Sequence, residues 1–380
     1  MWRIFLTICL LCWSADGQVR EVRCRNESDE PVDWYIIYKA PKLNNIGTTG
    51  LEYIYIDPNG KKKETLTTDL TYKPINHPNG VLANTLRPIF TTSMTDNFGF
   101  ISYSDQPPGC NAQDKFGHSK GVVMMNKTTG VWLLHSVPQF PFLRDQNNFY
   151  PPSGVKNAQT FICVTFNYEE FNMIGEHLLD INAFTFEDHI PNNFYESLQK
   201  LRRTGNNIRK ERLNGVRTQD LTSAGRTPFH SFAKYKIANT IMDTDPKRFE
   251  GDLYVTIAKE YQTNVRVQTW PCKQDEPYCV TNQHQVINIE SVKTNLGTWG
   301  SGNDHSKWCV ATDTIKNKFP LLICIADVNR ALSQYKRPGG ALCFIHKEAS
   351  ELFKGLINQT DACSVKRPRP RDPACDPDSE

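Results

Sequence analysis

A short motif occurs twice, once in each half of the chain, and it limits the folds that the chain can adopt. His118-Ser119-Lys120 begins one apolar, strand-like run, and His305-Ser306-Lys307 begins another. In each half a second apolar run follows and ends in a polar side chain, His135 in the first half and Asp327 in the second. Two units repeated at this distance predict two similar lobes that face each other rather than a solenoid.

Short apolar runs rich in β-branched and aromatic residues predict most of the secondary structure. The clearest strand candidates are residues 32–38, 121–125, 130–134, 160–164 and 320–325. Several of them lack alternation, which is typical of strands buried on both faces. Helices are predicted between the strands, at residues 169–180, 194–203, 247–259 and 350–356. Strands mixed with helices predict an α/β or α+β class. Hydrophobic residues make up 39% of the chain and aromatic residues 11%, which indicates a globular protein.

The N-terminus predicts an exported protein. Arg3 precedes the apolar run 4–13, and the small residues 14–17 follow, so residues 1–17 are interpreted as a signal peptide. No later run is long and apolar enough to span a membrane. Three glycosylation sequons, at Asn26, Asn126 and Asn358, support export.

The cysteines fit the same compartment. Of the 12 cysteines, Cys9 and Cys12 lie in the leader, and the even number that remains suggests disulfides. No pair has the CxxC spacing of a zinc site.

We divide the mature chain into a lobe at 18–204 and a lobe at 227–363, each with one motif. Residues 205–226 are basic and are interpreted as a solvated connection, with a DNA-binding arm as the alternative. Residues 364–380 are predicted to be a disordered tail. The net charge of +3 is too small to indicate a nucleic-acid partner, but most of the nine histidines would be charged in an acidic compartment, which fits an anionic substrate.

The two motifs suggest phosphodiester chemistry. On a strand, His and Lys at i and i+2 point to the same face. Meeting across a pseudo-twofold axis, the motifs would bring His118, Lys120, His305 and Lys307 into one pocket. A neutral His would attack phosphorus, a protonated His would protonate the leaving oxygen, and the lysines would balance the phosphate charge. This scheme requires no metal and no cofactor.

Other polar residues are candidates for supporting roles. Asp327 would orient and protonate the histidine of its own half, and His135 lies at the comparable place in the other half. Asn329 shares a strand face with Asp327. His230 and Lys234 are either contacts for the DNA backbone or packed loop residues. Because one neutral and one charged imidazole are needed, an acidic working pH is expected.

Longer stretches around these residues resemble the deoxyribonuclease II family. The matches include Pro31-Val32-Asp33-Trp34-Tyr35-Ile36-Ile37-Tyr38-Lys39, Asp304-His305-Ser306-Lys307-Trp308-Cys309-Val310 and the stretches 118–122, 132–141, 150–152, 159–164, 229–234 and 324–330. Together they run from about Val22 to Cys363.

The resemblance implies a phospholipase-D-like fold, with two pseudo-symmetric lobes, each a sheet flanked by helices, around one site that a single chain could complete. It implies a metal-independent acid endonuclease that leaves 3′-phosphates on DNA with little sequence preference. Such enzymes are lysosomal or secreted and degrade DNA of dying or engulfed cells. The implied catalytic set is His118, Lys120, His305 and Lys307, with His135 and Asp327 accessory. The implied disulfides are Cys24–Cys163, Cys279–Cys363 and Cys324–Cys343, whereas Cys110, Cys272, Cys309 and Cys375 fall outside the pattern.

Two other functions remain open at this point. The chain could be a secreted DNA-binding relative without catalysis, although its motif residues are intact. It could also be a lipid phosphodiesterase with the same site chemistry, although the longer matches favour DNA. The sequence does not say which histidine is the nucleophile.

Overall fold

The computed structural model describes residues 21–60, 62–64, 73–90, 94–142, 148–203, 215–236, 246–272, 274–312 and 318–363. The expected signal peptide, residues 205–214 of the basic connection and the expected C-terminal tail lie outside these ranges. Within them the protein is a mixed α/β structure with several sheets and few helices. No described helix is long and apolar enough to cross a membrane.

Residues of the first half form an antiparallel sheet of eight strands, in the order β12-β8-β9-β10-β11-β3-β6-β7. Its strands are β3 (Trp34–Lys39), β6 (Tyr53–Ile56), β7 (Lys62–Glu64), β8 (Phe98–Ser104), β9 (Lys120–Asn126), β10 (Thr129–His135), β11 (Gln159–Asn167) and β12 (Thr185–His189). Two short pairs flank it: β1 (Cys24–Arg25) with β2 (Pro31–Val32), and β4 (Lys42–Leu43) with β5 (Thr48–Thr49). Every residue of β9 and β10 is buried, as the apolar runs without alternation predict.

The second half forms a nine-stranded sheet, in the order β13-β14-β20-β19-β18-β15-β16-β17, with β21 also paired to β16. Its strands are β13 (Val216–Thr222), β14 (Pro228–Lys234), β15 (Val265–Gln268), β16 (Val286–Thr294), β17 (Gly297–Gly300), β18 (Trp308–Ala311), β19 (Leu322–Ala326), β20 (Gly339–Ile345) and β21 (Ile357–Thr360). The pairing of β15 with β16 is parallel. The motif strands and their successors therefore run β9-β10-β11 in one sheet and β18-β19-β20 in the other.

The described helices are short: α1 (Val81–Leu86), α2 (Phe171–Asp180), α3 (Glu196–Gln199), α4 (Leu253–Glu260), α5 (Leu332–Tyr335) and α6 (Lys347–Leu356). The helix expected at 247–259 is instead a 3-10 turn, Pro246–Gly251, followed by α4. Asp252 separates the two because its side chain caps α4, accepting from the N–H of Tyr254 and of Val255. The helix expected at 350–356 begins earlier because the His346 side chain caps it.

The two large sheets share one hydrophobic core, which contains buried side chains from both. Trp34 of the first sheet packs edge-on against Phe344 of the second, with ring centroids 5.1 Å apart, and Phe166 meets Phe229 at 6.0 Å. Each large apolar side chain buried here contributes roughly 1.5–3 kcal/mol. The halves are therefore packed against each other by the same apolar contacts that hold each sheet.

Residues 216–222 correct the prediction of a solvated connection at 205–226. They form the edge strand β13, paired with β14 over its whole length. Gln219 and Leu221 are buried while Thr218, Asp220 and Thr222 are exposed, so the strand has one solvated face.

Three disulfides lie within the described residues: Cys24–Cys163, Cys279–Cys363 and Cys324–Cys343. They are the pairs that the resemblance implies. Cys110 is free and exposed, and Cys309 is free and buried in β18. The sequons differ in accessibility, because the Asn26 and Asn126 side chains are buried while Asn358 is exposed in β21.

Candidate active site

The first motif lies where β9 begins. Lys120 is the first residue of β9 and pairs with Ser104, the last residue of β8. His118 precedes the strand, and its N–H donates to the carbonyl oxygen of Pro338 in the second half, at 2.9 Å. The backbone of the first motif is thus fixed by a residue of the second half, directly before β20.

The second motif is held in a reciprocal way. The His305 N–H donates to the carbonyl oxygen of Ala158 in the first half, at 2.9 Å. Ser306 donates its N–H to Asp304 Oδ1 at 2.9 Å, and Lys307 Nζ donates to the His305 carbonyl oxygen at 2.9 Å. All three motif residues precede β18 and have no regular secondary structure, so they do not lie on a strand as expected, and the Asp304 side chain holds the main chain at Ser306.

Both motifs line one pocket. His118, Lys120, His305 and Lys307 share its wall with Gln106, Ser136, Pro138, Trp270 and Asn329. The pocket encloses about 260 Å³ of empty space, part of which is open to solvent. All four motif side chains are at least nine-tenths buried. Four groups that can carry positive charge thus line one pocket.

Asp105 is a site residue that the sequence did not reveal. Its Oδ1 lies 2.6 Å from Lys120 Nζ, and its Oδ2 lies 3.7 Å from His118 Nε2. Arg337, from the second half, donates to the same Oδ2 at 3.2 Å. Asp105 follows directly after β8, and only the pairing of β8 with β9 brings it to the motif. No local sequence pattern indicates that pairing.

Asp304, beside the second motif, was also not singled out. Its Oδ2 accepts hydrogen bonds from the Tyr38 hydroxyl and, at 3.2 Å, from Trp299 Nε1. Burial raises the pKa of its carboxyl group, while the hydrogen bonds from Ser306, Tyr38 and Trp299 oppose the shift. Asp304 therefore ties the second motif to β3 of the first sheet.

Burial and nearby cations lower the pKa values of both motif histidines. The pKa of His118 falls well below its ordinary value, first through burial and then through Lys120, Lys307 and Arg337. The pKa of His305 falls to about 3, first through burial and then through Lys307 and Lys120. Burial and the neighbouring cations therefore favour the neutral form of both imidazoles in the free protein.

Asp327 does not orient the histidine of its own half, as we had expected. The Gly340 N–H donates to its Oδ2 at 3.0 Å, and Lys120 and Asp105 are the charged groups that act on it. Burial is the main reason that the pKa of its carboxyl group rises to about 8. The His118 ring also interacts with the Asp327 main chain. Asp327 thus belongs to the surroundings of the first motif.

His135 and Asn329 both lie close to the motif residues. His135 is buried against the Phe140 ring at 4.8 Å, and its Nδ1 accepts the Val137 N–H at 3.2 Å. Burial and then the charge of Lys120 lower its pKa well below the ordinary value. Asn329 lines the pocket, where its Oδ1 accepts the Trp270 N–H at 3.2 Å. The Trp270 ring in turn lies 4.8 Å from the His305 ring.

Lys234 fits the alternative of a packed residue and not that of a contact for the DNA backbone. Its side chain is buried, and its Nζ donates to the carbonyl oxygens of Gln334, Tyr335 and Arg337. His230 does not line the pocket, and its ring packs against Phe232 and Tyr261. It therefore fits the alternative of a packed residue.

Within the described residues, no group of three or more His, Cys, Asp or Glu side chains is arranged to hold a metal ion. The side chains that converge on the pocket are histidines and lysines, and the nearby carboxylate of Asp105 is already paired with Lys120 and Arg337.

Comparison with known proteins gives the family of the chain. The family described as Deoxyribonuclease II matches residues 23–363. Deoxyribonuclease-2-beta of Mus musculus is 34% identical over 95% of this chain and 98% of its own length, and the Homo sapiens protein of that name is 31% identical over 90% and 92%. Cell-death-related nuclease 7 of Caenorhabditis elegans is 28% identical over 90% of this chain and 88% of its own. The chain belongs to the deoxyribonuclease II family and is a DNA-hydrolysing nuclease.

Proposed function

We propose that the protein is a metal-independent acid endodeoxyribonuclease that cuts DNA through a phosphohistidine intermediate and leaves 3′-phosphate ends. The observation that carries the proposal is the convergence of His118, Lys120, His305 and Lys307 on one pocket. Neither motif alone supplies both a nucleophile and a proton donor. The pair supplies both, together with two ammonium groups for the non-bridging oxygens.

In the first step, a neutral imidazole of one motif attacks phosphorus. The P–O5′ bond breaks, and the leaving oxygen takes a proton from the imidazolium of the other motif. In the second step, water attacks phosphorus and gives its proton to the second imidazole. The P–N bond then breaks, which restores the nucleophile and releases a 3′-phosphate.

The low pKa values of the free histidines account for an acidic working pH. A phosphodiester anion in the pocket raises the pKa of the imidazole that it contacts, because opposite charge favours the protonated form. Since the starting pKa values are low, the medium must be acidic for that imidazole to be charged. The rate should fall as pH rises through the pKa of the bound complex.

The reciprocal backbone contacts support a phospholipase-D-like arrangement of two pseudo-symmetric lobes. His118 bonds to the residue before β20, and His305 bonds to the residue before β11. The strands β9-β10-β11 and β18-β19-β20 follow the motifs in matching antiparallel order. A single chain holds both motifs, so we propose that a monomer is complete.

We also propose that the protein is lysosomal or secreted and acts on DNA from dying or engulfed cells. The apolar N-terminal run, the sequons and the disulfides support export. The name of Cell-death-related nuclease 7 and the similarity to Plancitoxin-1 of Acanthaster planci, at 27% identity, are consistent with such roles.

The test is nicking of supercoiled plasmid at about pH 5 in excess EDTA. We expect nicking by the wild-type protein, and a loss of about 10³-fold or more in His118→Ala and His305→Ala with DNA binding retained. His284→Ala, outside the pocket, is the matched control and should keep full activity. The cut strands should accept polymerase extension only after phosphatase treatment, as 3′-phosphates require.

Other outcomes would favour the alternatives. DNA binding without nicking in a folded, disulfide-bonded preparation indicates a relative that has lost catalysis. Release of a headgroup from phospholipid vesicles without nicking indicates a lipid phosphodiesterase. Nicking that EDTA abolishes contradicts the metal-independent scheme.

A further inference from the structure

Two buried lysines occupy equivalent places in the two large sheets. Lys39 is the last residue of β3, and Lys234 is the last residue of β14. The exposed fraction is 0% for Lys39 and 1% for Lys234. Neither lines the pocket, and the proposed chemistry uses neither.

Each ammonium group donates to three main-chain carbonyl oxygens. Lys39 Nζ bonds to those of Ala40 at 2.7 Å, Gly50 at 3.1 Å and Val155 at 3.1 Å. Lys234 Nζ bonds to those of Gln334 at 3.2 Å and Tyr335 at 2.9 Å, and to that of Arg337. A side chain that bonds several carbonyls fixes the path of the loop that carries them.

The loops in question hold the catalytic motifs. Lys39 pairs with Gln159, the first residue of β11, and the preceding residue, Ala158, accepts the His305 N–H. Lys234 pairs with Gly339, the first residue of β20, and the preceding residue, Pro338, accepts the His118 N–H. The relation is the same in both sheets, and in each case the loop serves the motif of the opposite half.

Burying an ammonium group is costly, and an apolar side chain would fill either place without that cost. Burial lowers the pKa of each lysine to about 7. Asp304 and Glu52 oppose the shift at Lys39, while at Lys234 Asp252 opposes it and Arg337 adds to it. In the acidic range of the proposed reaction, each ammonium is charged and has one N–H for each carbonyl.

We propose that Lys39 and Lys234 are positioning residues, each fixing the loop that places the histidine of the opposite motif. Lys39 acts on His305 through Ala158, and Lys234 acts on His118 through Pro338. This inference rests on the proposed function of the two histidines.

The experiment compares Lys39→Met and Lys234→Met with wild type at about pH 5. We expect kcat on a DNA oligonucleotide to fall at least about tenfold with KM changed less than about threefold, because the pocket remains but the reacting groups are displaced. In spectra of protein labelled with ¹⁵N-histidine, Lys39→Met should shift the His305 signals and leave those of His118. Lys234→Met should do the opposite.

Asn84→Ala is the matched control. Asn84 is buried, and its Nδ2 donates to the main-chain carbonyl oxygens of Asn26, at 2.9 Å, and Glu27, at 3.4 Å, outside the pocket. Its loss should lower the melting temperature without changing kcat or the signals of either histidine. Lys39→Gln and Lys234→Gln, which keep N–H donors, serve where the Met variants do not fold.

Three results would overturn the inference. In the first, kcat falls only as far as the melting temperature falls. In the second, the histidine signals do not shift in the crossed pattern. In the third, neither the Met nor the Gln variants fold, which would mean that the lysines serve folding only. His118→Ala and His305→Ala are measured in parallel. If the His variants stay active, the proposed function itself is wrong. If the His variants are inactive and the Lys variants are fully active, only the positioning role is wrong.

Discussion

Asp105 is the carboxylate on which the polar contacts of the first motif converge. It lies within 3.7 Å of Lys120, Arg337 and the His118 ring, and the side chains of Asp105, Lys120 and His118 are shielded from water. A carboxylate 3.7 Å from His118 Nε2 favours the protonated form of that imidazole. We therefore expect Asp105 to set the pH at which the first motif works.

Asp105→Asn tests this role with little change in shape. The pKa of His118 should fall further, because a neutral amide no longer stabilises the imidazolium. We expect the pH of maximal nicking to move to lower pH and kcat at about pH 5 to fall by about 10- to 100-fold. Asp29→Asn, which loses a carboxylate paired with Arg87 away from the pocket, is the control. An unchanged pH profile would show that Asp105 does not set the working pH of the first motif.

Asp327 is a buried carboxyl group that the fold holds in its neutral form, and we expect it to affect stability. Since burial raises the pKa of its carboxyl group to about 8, the folded protein binds this proton more tightly than the unfolded chain does. The stability that it contributes is therefore complete below about pH 4 and is lost as pH rises towards 8.

Asp327→Asn replaces the titrating group with a permanently neutral one. The free energy of unfolding of the variant, relative to wild type, should rise by a few kcal/mol between about pH 4 and pH 8. Urea unfolding of both proteins across that range measures it, with Asp29→Asn again as the control. A difference that stays constant with pH would show that the carboxyl group is not held neutral by the fold.

At the scale of elements, the strands were the most predictable part of the fold. The runs at 121–125, 130–134 and 160–164 became β9, β10 and β11 because burial on both faces leaves a continuous apolar signal in the sequence. The edge strand β13 was missed because only one of its faces is buried, so little apolar signal remains. The helix expected at 194–203 shrinks to α3, since Leu201 and Arg202 bond three residues back in tighter turns.

The sequence predicts the site residues that belong to the repeated motif, but not those that reach the site through long-range contacts. His118, Lys120, His305 and Lys307 stand out because the motif occurs twice. Asp105, Arg337 and Asp304 do not stand out, because their contacts depend on strand register and on packing between the sheets. For the same reason the sequence does not show that Asp327 lies beside the first motif or that Lys234 is buried.

At the scale of the whole molecule, acidification changes the charge less than the histidine count suggests. His118, His135, His177, His305 and His346 all have pKa values lowered by burial, so they resist protonation in mild acid. Attraction of DNA at acidic pH must then rely on lysines and arginines. Lys156 is one such group, since it is exposed and its charge acts on His305.

The two halves of the molecule are also joined by a polar contact outside the pocket. Asp33, between β2 and β3, accepts hydrogen bonds from the Ser223 hydroxyl at 2.6 Å, the Gly225 N–H at 2.5 Å and the Thr227 hydroxyl at 3.0 Å. These donors form the turn between β13 and β14. A Cβ atom on Gly225 would lie 2.5 Å from Asp33 Cγ, so the contact also requires glycine there.

Asp33→Ala should therefore weaken the contact between the edge of the second sheet and the first half without lowering the rate of DNA cleavage. Loss of a carboxylate that accepts three hydrogen bonds should lower the free energy of unfolding by about 1.5–3 kcal/mol, and Gly225→Ala should lower it comparably. Because the motif histidines are held by the loops before β11 and β20, nicking at about pH 5 and low temperature should stay near the wild-type rate. Amide exchange would locate the change, with faster exchange in β13 and unchanged exchange in β9 and β18. Loss of nicking in a folded Asp33→Ala protein would mean that the pocket depends on this outer contact as well as on the loops beside it.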